Sequence, residues 1–198
     1  MPTPNTTIAI CYHSRKGHTA AIAQEIAKGA AAQDGVTTLA VDVTVDPIPW
    51  DGLFDADGIV FGCPTHFGGI SAEMKAFLDS TDAFWNDMRW RDTIAAGFTC
   101  AGEPSGDKQS VLMALSVFAA QHAMIWIGMD PMNDVRTGQG KPEGYNIQGG
   151  YLGAMADSDG NAVTPDSPPE TDRLTARLFG RRIATVTRRW VHGLVEQG

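Results

Sequence analysis

The feature that most constrains this chain is an early change of period, from a short apolar run through a polar, glycine-containing turn into an alanine-rich helical pattern. Ile8-Ala9-Ile10-Cys11-Tyr12 reads as a buried strand. Ser14-Arg15-Lys16-Gly17-His18-Thr19 follows it, and residues 20–32 read as a helix with Ile22 and Ile26 on one face and Gly35 beyond its end. Such a junction leaves the first backbone N–H groups of the helix unpaired and aimed at one spot, where the helix dipole favours negative charge. Ser14 and Thr19 add hydroxyls, and Gly17 permits the tight turn. The spacing is neither GxxxxGK[ST] nor GxGxxG, so the turn suits one phosphate monoester better than a triphosphate or a dinucleotide.

The same alternation continues along the chain. Residues 37–43 suit a second strand, and a proline-containing loop at 46–49 follows. Residues 58–62 form a third apolar run, after which Ser71 caps a helix carrying Met74, Phe77 and Leu78 inward. Residues 94–99 and 124–127 are the fourth and fifth strand candidates, joined by a polar turn and a helix over 108–122 with Val111, Leu112, Leu115 and Phe118 inward. Residues 130–168, rich in Gly, Pro, Asn and Asp, read as irregular. Ser167-Pro168-Pro169-Glu170 then looks like a helix start, with Ser167 as N-cap. The helix runs to about His192, with Leu174, Leu178, Ile183, Val186 and Trp190 on its inner side and Arg173, Arg177, Arg181 and Arg188 on a solvated one. Alternating strands and helices predict an α/β fold, a doubly wound five-stranded parallel sheet with helices on both faces in the flavodoxin-like order, as one domain over 1–198. Ligands in such sheets sit outside the carboxyl ends of the strands, where the turns at 14–19, 64–69 and 99–107 converge.

Composition narrows the partners. A formal net charge of -8 argues against a duplex nucleic-acid binder, which carries a basic footprint. Three cysteines without CxxC spacing give neither a disulfide framework nor a zinc site, and no metal centre is expected. No leader or membrane span is legible, so a cytoplasmic protein is the expectation. Asp157-Ser158-Asp159-Gly160-Asn161 resembles half a calcium loop but lacks the distal Glu, and reads as a polar turn.

The turn Pro64-Thr65-His66-Phe67-Gly68-Gly69 adds a second ligand signal. Pro64 stiffens the exit from the third strand, while Gly68 and Gly69 allow backbone to approach a flat ligand. An aromatic at such a tip is expected to be exposed, and Phe67 beside a phosphate site suggests stacking on a ring.

Residues 14–19, the run Ala56-Asp57-Gly58-Ile59-Val60-Phe61-Gly62-Cys63-Pro64-Thr65-His66-Phe67-Gly68-Gly69-Ile70-Ser71, and Phe77-Leu78-Asp79-Ser80-Thr81 together resemble the WrbA-type multimeric flavodoxins, FMN-dependent NAD(P)H:quinone oxidoreductases. The resemblance extends through residues 102–106, His122 and residues 149–154, with Lys16, Cys63, His66 and Gly69 as departures from the motifs. It implies FMN phosphate on Ser14, Arg15, Lys16, Gly17, His18 and Thr19. It implies the ribityl chain and ring along Pro64, Thr65, His66, Phe67, Gly68 and Gly69, with Thr99, Cys100, Ala101, Gly102 and Gly106 on the other edge. Trp85 and His122 match residues that reach a neighbouring subunit's site, which implies a homodimer or homotetramer, with NAD(P)H as co-substrate and a quinone-like acceptor. The family's glycine-rich third turn carries Glu103, Pro104 and Asp107 in this chain. A one-electron flavodoxin-type carrier, and an interaction module with a degraded flavin site, are the alternative readings.

Overall fold

A computed structural model describes residues 5–130, 140 and 142–195. Part of the stretch expected to be irregular, residues 131–139 and 141, lies outside the described residues.

The apolar runs form strands because their two faces are both buried. β1 (Thr6–Tyr12) places Ile8 and Ile10 in one core and Ala9 and Cys11 in the other. β3 (Gly58–His66) and β5 (Ile94–Ala101) alternate in the same way, with Val60, Ala96 and Phe98 on one face and Ile59, Phe61 and Ala95 on the opposite one. β2 (Val36–Asp42) lies beside β1, giving the parallel order β2-β1-β3-β5. α1 (His18–Ala31) and α6 (Glu170–Val195) cover one face; α3 (Ala72–Ser80) and α5 (Lys108–Gln121) cover the other. This is the doubly wound arrangement expected.

The fifth sheet position is built differently from expectation. Only Ile125–Trp126 (β6) of the run 124–127 pairs with β5, opposite Ile94 and Ala95. The upper half of that edge is filled by β7 (Ala154–Asp157), which pairs in parallel with Phe98 to Ala101. The chain therefore leaves the sheet after β6 and returns to the same side of β5, and part of the expected irregular stretch is a buried strand. A further short strand, β4 (Gly69–Ile70), pairs antiparallel with the end of β3. Two short helices, α2 (Trp50–Phe54) and α4 (Asp82–Trp85), occupy stretches whose length is too small for a helical period to register.

α6 corrects two expectations. Its first bonds are accepted by the Pro169 carbonyl, from Asp172 N–H and Arg173 N–H at 3.0 Å each, so Pro169 and not Ser167 stands at the cap. The Ser167 hydroxyl instead accepts from Asp159 N–H at 3.2 Å. Its buried face is Asp172, Thr175, Ala176, Phe179, Gly180, Ile183, Ala184 and Thr187, whereas Leu174, Leu178 and Val186 lie half-buried at the flanks and Trp190 is exposed. Close packing explains the choice of small residues. A Cβ on Gly180 would meet the Ile26 carbonyl oxygen at 2.0 Å, and one on Gly29 would meet that of Arg177 at 1.8 Å, so α1 and α6 touch backbone to backbone. Glu25 of α1 bridges the pair through Arg177 Nε (2.7 Å) and its own neighbour Lys28 (2.6 Å).

Candidate functional site

Three turns meet outside the carboxyl ends of β1, β3 and β5, around a cavity of about 220 Å³. Ser14, Arg15, Lys16, His18 and Thr19 line one side; Pro64, Thr65 and His66 a second; Cys100, Ala101 and Gly102 a third. The first turn is folded by its own atoms. Ser14 Oγ accepts Gly17 N–H at 3.1 Å, and Gly17 holds a left-handed backbone (φ 97°) that admits the chain into α1. No side chain caps α1, so the first N–H groups of the helix stay open toward the cavity. Open donors, two hydroxyls and three basic side chains in one concave site fit a phosphate group.

The second turn is a tight hairpin. Thr65 pairs with Ile70 and His66 with Gly69, leaving Phe67 and Gly68 at the tip, both with positive φ (49° and 73°). Positive φ at both central residues is the type I′ geometry. It suits Gly68 and strains Phe67, which is nevertheless fully exposed (112%). Below the tip, Thr65 Oγ1 meets Thr99 Oγ1 at 2.8 Å, and Thr99 donates to the Cys63 carbonyl at 2.7 Å.

Hydrogen bonds between turns fix their separation. His13 Nδ1 meets Ser71 Oγ at 2.8 Å, and Ser71 caps α3 by accepting Met74 N–H, so the end of β1 is tied to the start of α3. Burial holds the His13 imidazole below its ordinary value although Glu73, 3.5 Å away, pulls the other way. Thr19 hydrogen-bonds the Cys100 thiol, which burial pushes up to about 12. Burial likewise pushes Cys63 up to about 11 and raises Cys11. None of these thiols is a reactive thiolate; the cysteines are small buried hydrophobes.

Residues 51–130 match the family described as NADPH-dependent FMN reductase. "Flavodoxin FldP" of Pseudomonas aeruginosa is 32% identical, covering 89% of this chain and 94% of that protein. An "NAD(P)H dehydrogenase (quinone)" of Solidesulfovibrio magneticus is 31% identical, over 92% of this chain and 98% of its own. The crystal structure of a flavodoxin, WrbA-like protein from Agrobacterium tumefaciens superposes with a TM-score of 0.69 at 31% identity, covering 93% of this chain and 98% of that one. The chain belongs to the WrbA-like flavodoxins.

Within this WrbA-like flavodoxin, not every residue expected at the site reaches it. Thr99 is wholly buried beneath Thr65 and offers no free hydroxyl. Gly106 (φ 54°) shapes the third turn, where a Cβ would meet Ala101 Cβ at 2.6 Å. His122 and Trp85 lie beyond the far end of α5, roughly 20 Å of helix from the cavity at 1.5 Å per residue. His122 is also turned inward: 2% exposed, bonded through Nε2 to Thr81 Oγ1 at 2.9 Å and packed among Phe84, Trp90 and Phe118. Its ring is therefore not presented to the cavity of its own chain. Trp85 is 40% exposed, its indole N–H donating to the Gln121 carbonyl at 2.9 Å.

A fourth turn, absent from the expectation, completes the cavity. Ser158 and Gly160 line it, directly after β7. Lys16 Nζ donates to the Gly160 carbonyl, Val163 N–H donates to the Lys16 carbonyl at 3.0 Å, and His18 Nε2 lies 3.3 Å from Asp159 Oδ1. The only signal was the polar run 157–161; its relevance depends on β7, whose four residues are too few to register as a strand. Among the described residues no cluster of metal-ligating side chains occurs.

Proposed function

We propose that this chain is an FMN-dependent oxidoreductase that passes two electrons from NAD(P)H to a quinone-like acceptor. The observation that carries the reading is the cavity of about 220 Å³ at the uncapped start of α1, set beside an outward aromatic on a strained hairpin. FMN, when bound, supplies the hydride and electron chemistry. The chain supplies the rest. Ser14, Thr19 and the first N–H groups of α1 hold the phosphate, with Arg15, Lys16 and His18 adding charge. Pro64, Thr65 and His66 line the path of the ribityl chain, with Gly68 and Gly69 giving close backbone approach and Phe67 stacking on the ring. Cys100, Ala101 and Gly102, with Ser158 and Gly160, close the opposite edge. The open side of the ring slot serves the nicotinamide and the acceptor in turn.

An apolar groove of about 350 Å³ between α3 and α5, lined by Leu78, Met113, Val117 and Phe118, supports assembly as a homodimer or homotetramer, with Trp85 near its edge as a residue that a partner's site would use. Buried free thiols suit a reducing, cytoplasmic setting. No helix among the described residues is long and apolar enough to cross a membrane.

Titration of the deflavinated protein with FMN, followed by anaerobic turnover with NADH or NADPH and benzoquinone, tests the reading. Tight FMN uptake with turnover is the expected result, and a protein that takes up no FMN sinks it. A flavodoxin-type electron carrier is the second reading, favoured by the likeness to Flavodoxin FldP and the net charge of -8. FMN uptake without nicotinamide turnover would select it.

A further inference from the structure

The first residue of α5 is a lysine turned into the interior. Lys108 is fully buried, and its ammonium has no access to water. Neither burial nor the helix favours a cation there. An ammonium is costly to desolvate unless its protons find acceptors, and a positive charge in the first turn opposes the helix dipole. The acceptors are present. Nζ donates to Asp157 Oδ1 (2.5 Å) and to the carbonyls of Pro104 (2.9 Å) and Glu103 (3.1 Å), with Gln148 Oε1 at 3.2 Å. Asp157 does not by itself account for the lysine, because its side chain is 33% exposed and reaches water. Asp172 Oδ2 carries the network into α6 by accepting Asp157 N–H at 2.8 Å.

The third turn is where Lys108 has no substitute. Residues 102–105 are exposed, and among the described residues no other side chain bonds them. The turn is wound tightly around the lysine stem: at Gly106 (φ 54°) a Cβ would meet the Glu103 carbonyl oxygen at 2.9 Å and Lys108 Cγ at 3.7 Å. The carbonyls of Glu103 and Pro104 thus point inward and end on one ammonium. This turn directly continues Ala101 and Gly102, which line the cavity, while Asp157 directly precedes Ser158, which lines it from the fourth turn. Ser158 N–H donates to the Ala101 carbonyl at 2.9 Å, so the two turns are already adjacent. One buried cation joins them behind the cavity wall.

We propose that Lys108 is a positioning residue for the flavin: its ammonium pins the third turn to the fourth and so fixes the wall that meets the ring edge. The proposal rests on the FMN reading above. Lys108 touches no part of the cavity itself and acts through the carbonyls it holds.

The test compares wild type, Lys108→Met, Asp157→Asn and the charge-balanced double variant Lys108→Met/Asp157→Asn. Dissociation constants for FMN and for riboflavin are read by fluorescence quenching, the ring environment by visible circular dichroism of the bound flavin, and stability by urea midpoints. Lys108→Met should weaken both flavins about tenfold, the loss expected when hydrogen bonds from a charged donor no longer hold the turn. The ratio of FMN to riboflavin affinity should stay within about threefold of wild type, because the phosphate turn is untouched. Asp157→Asn should keep FMN affinity within about threefold, since the hold on Glu103 and Pro104 remains. The double variant separates positioning from charge balance. It carries no unpaired charge of the ion pair, so its urea midpoint should recover toward that of Asp157→Asn while flavin affinity and the dichroism stay altered. If Lys108→Met alone does not fold, the double variant carries the comparison. Wild-type affinity in the Lys108 variants, or a tenfold loss in Asp157→Asn alone, overturns the proposal. FMN uptake by the wild type judges the reading beneath it independently, since that measurement involves no variant.

Discussion

At the scale of single residues, the site works through atoms whose local preference is overridden. Phe67 adopts a left-handed backbone that costs about 1–2 kcal/mol for a residue with a Cβ, and it exposes its whole ring. Phe67→Gly should therefore leave stability equal or raise it by about 1 kcal/mol while weakening FMN binding by the loss of a stacked ring, about 0.5–1.5 kcal/mol. Paired urea and FMN titrations read the two effects separately; loss of stability together with unchanged FMN affinity would make Phe67 structural. Ser14 and Thr19 are predicted to hold the phosphate. Replacing both by alanine should weaken FMN about tenfold or more for each hydroxyl lost to a charged group. Unchanged affinity would move the anchor elsewhere. Cys100 bears on the same turn from below: with its thiol pushed up to about 12, it should resist alkylation at neutral pH until the chain unfolds.

At the scale of elements, the contact between α1 and α6 is the tightest in the fold and the most vulnerable. Gly180→Ala would drive a methyl into the Ile26 carbonyl, so the helices must separate, with an expected loss of about 3 kcal/mol in urea unfolding. Gly193→Ala, on the same helix with open space around it, should be neutral or slightly stabilising. The same helix pair carries a pH dependence. Burial alone would raise the Glu25 carboxyl, but hydrogen bonds from Lys28 and Arg177 more than offset it and hold the group below its ordinary 4.5. A depressed carboxyl contributes stability that is present above its unfolded value and lost as pH falls through the folded one. The acid limb of stability should accordingly steepen below about pH 4.5 and flatten in Glu25→Gln, as read by urea midpoints against pH.

At the scale of the whole molecule, one sheet with two packed faces argues for a single cooperative unit over the described residues. Thermal unfolding should show one transition, and FMN at about a hundred times its Kd should stabilise the fold by about 2.7 kcal/mol, since ligand binds only the native site. Two transitions, of which FMN moves only one, would divide the chain into separate units. Burial adds a second dependence on pH at this scale. His13 and His122 are both held below their ordinary value by burial, with Glu73 partly opposing the effect at His13. Both therefore take up a proton less readily in the fold than in the unfolded chain, and stability should begin to fall once pH drops below about 6.5, where the unfolded chain takes up protons first.

The sequence by itself determined the alternation of strands and helices, and with it the doubly wound sheet and the meeting of three turns at one rim. Those signals are local: apolar runs at Ile8 and Ile59, a glycine at a helix start, a proline and two glycines at a strand end. Tertiary structure decided what no local period encodes. It split the fifth sheet position between β6 and β7, and so brought Ser158 and Gly160 to the cavity from a stretch that reads as irregular. Close backbone approach of Gly29 to Arg177 and of Gly180 to Ile26 turned small residues rather than leucines inward on α6. Long-range packing also drew His122 into an aromatic core and Lys108 into a buried ion pair with Asp157. Each of these depends on which distant segment lies alongside, and burial and pairing are properties of neighbours, not of spacing.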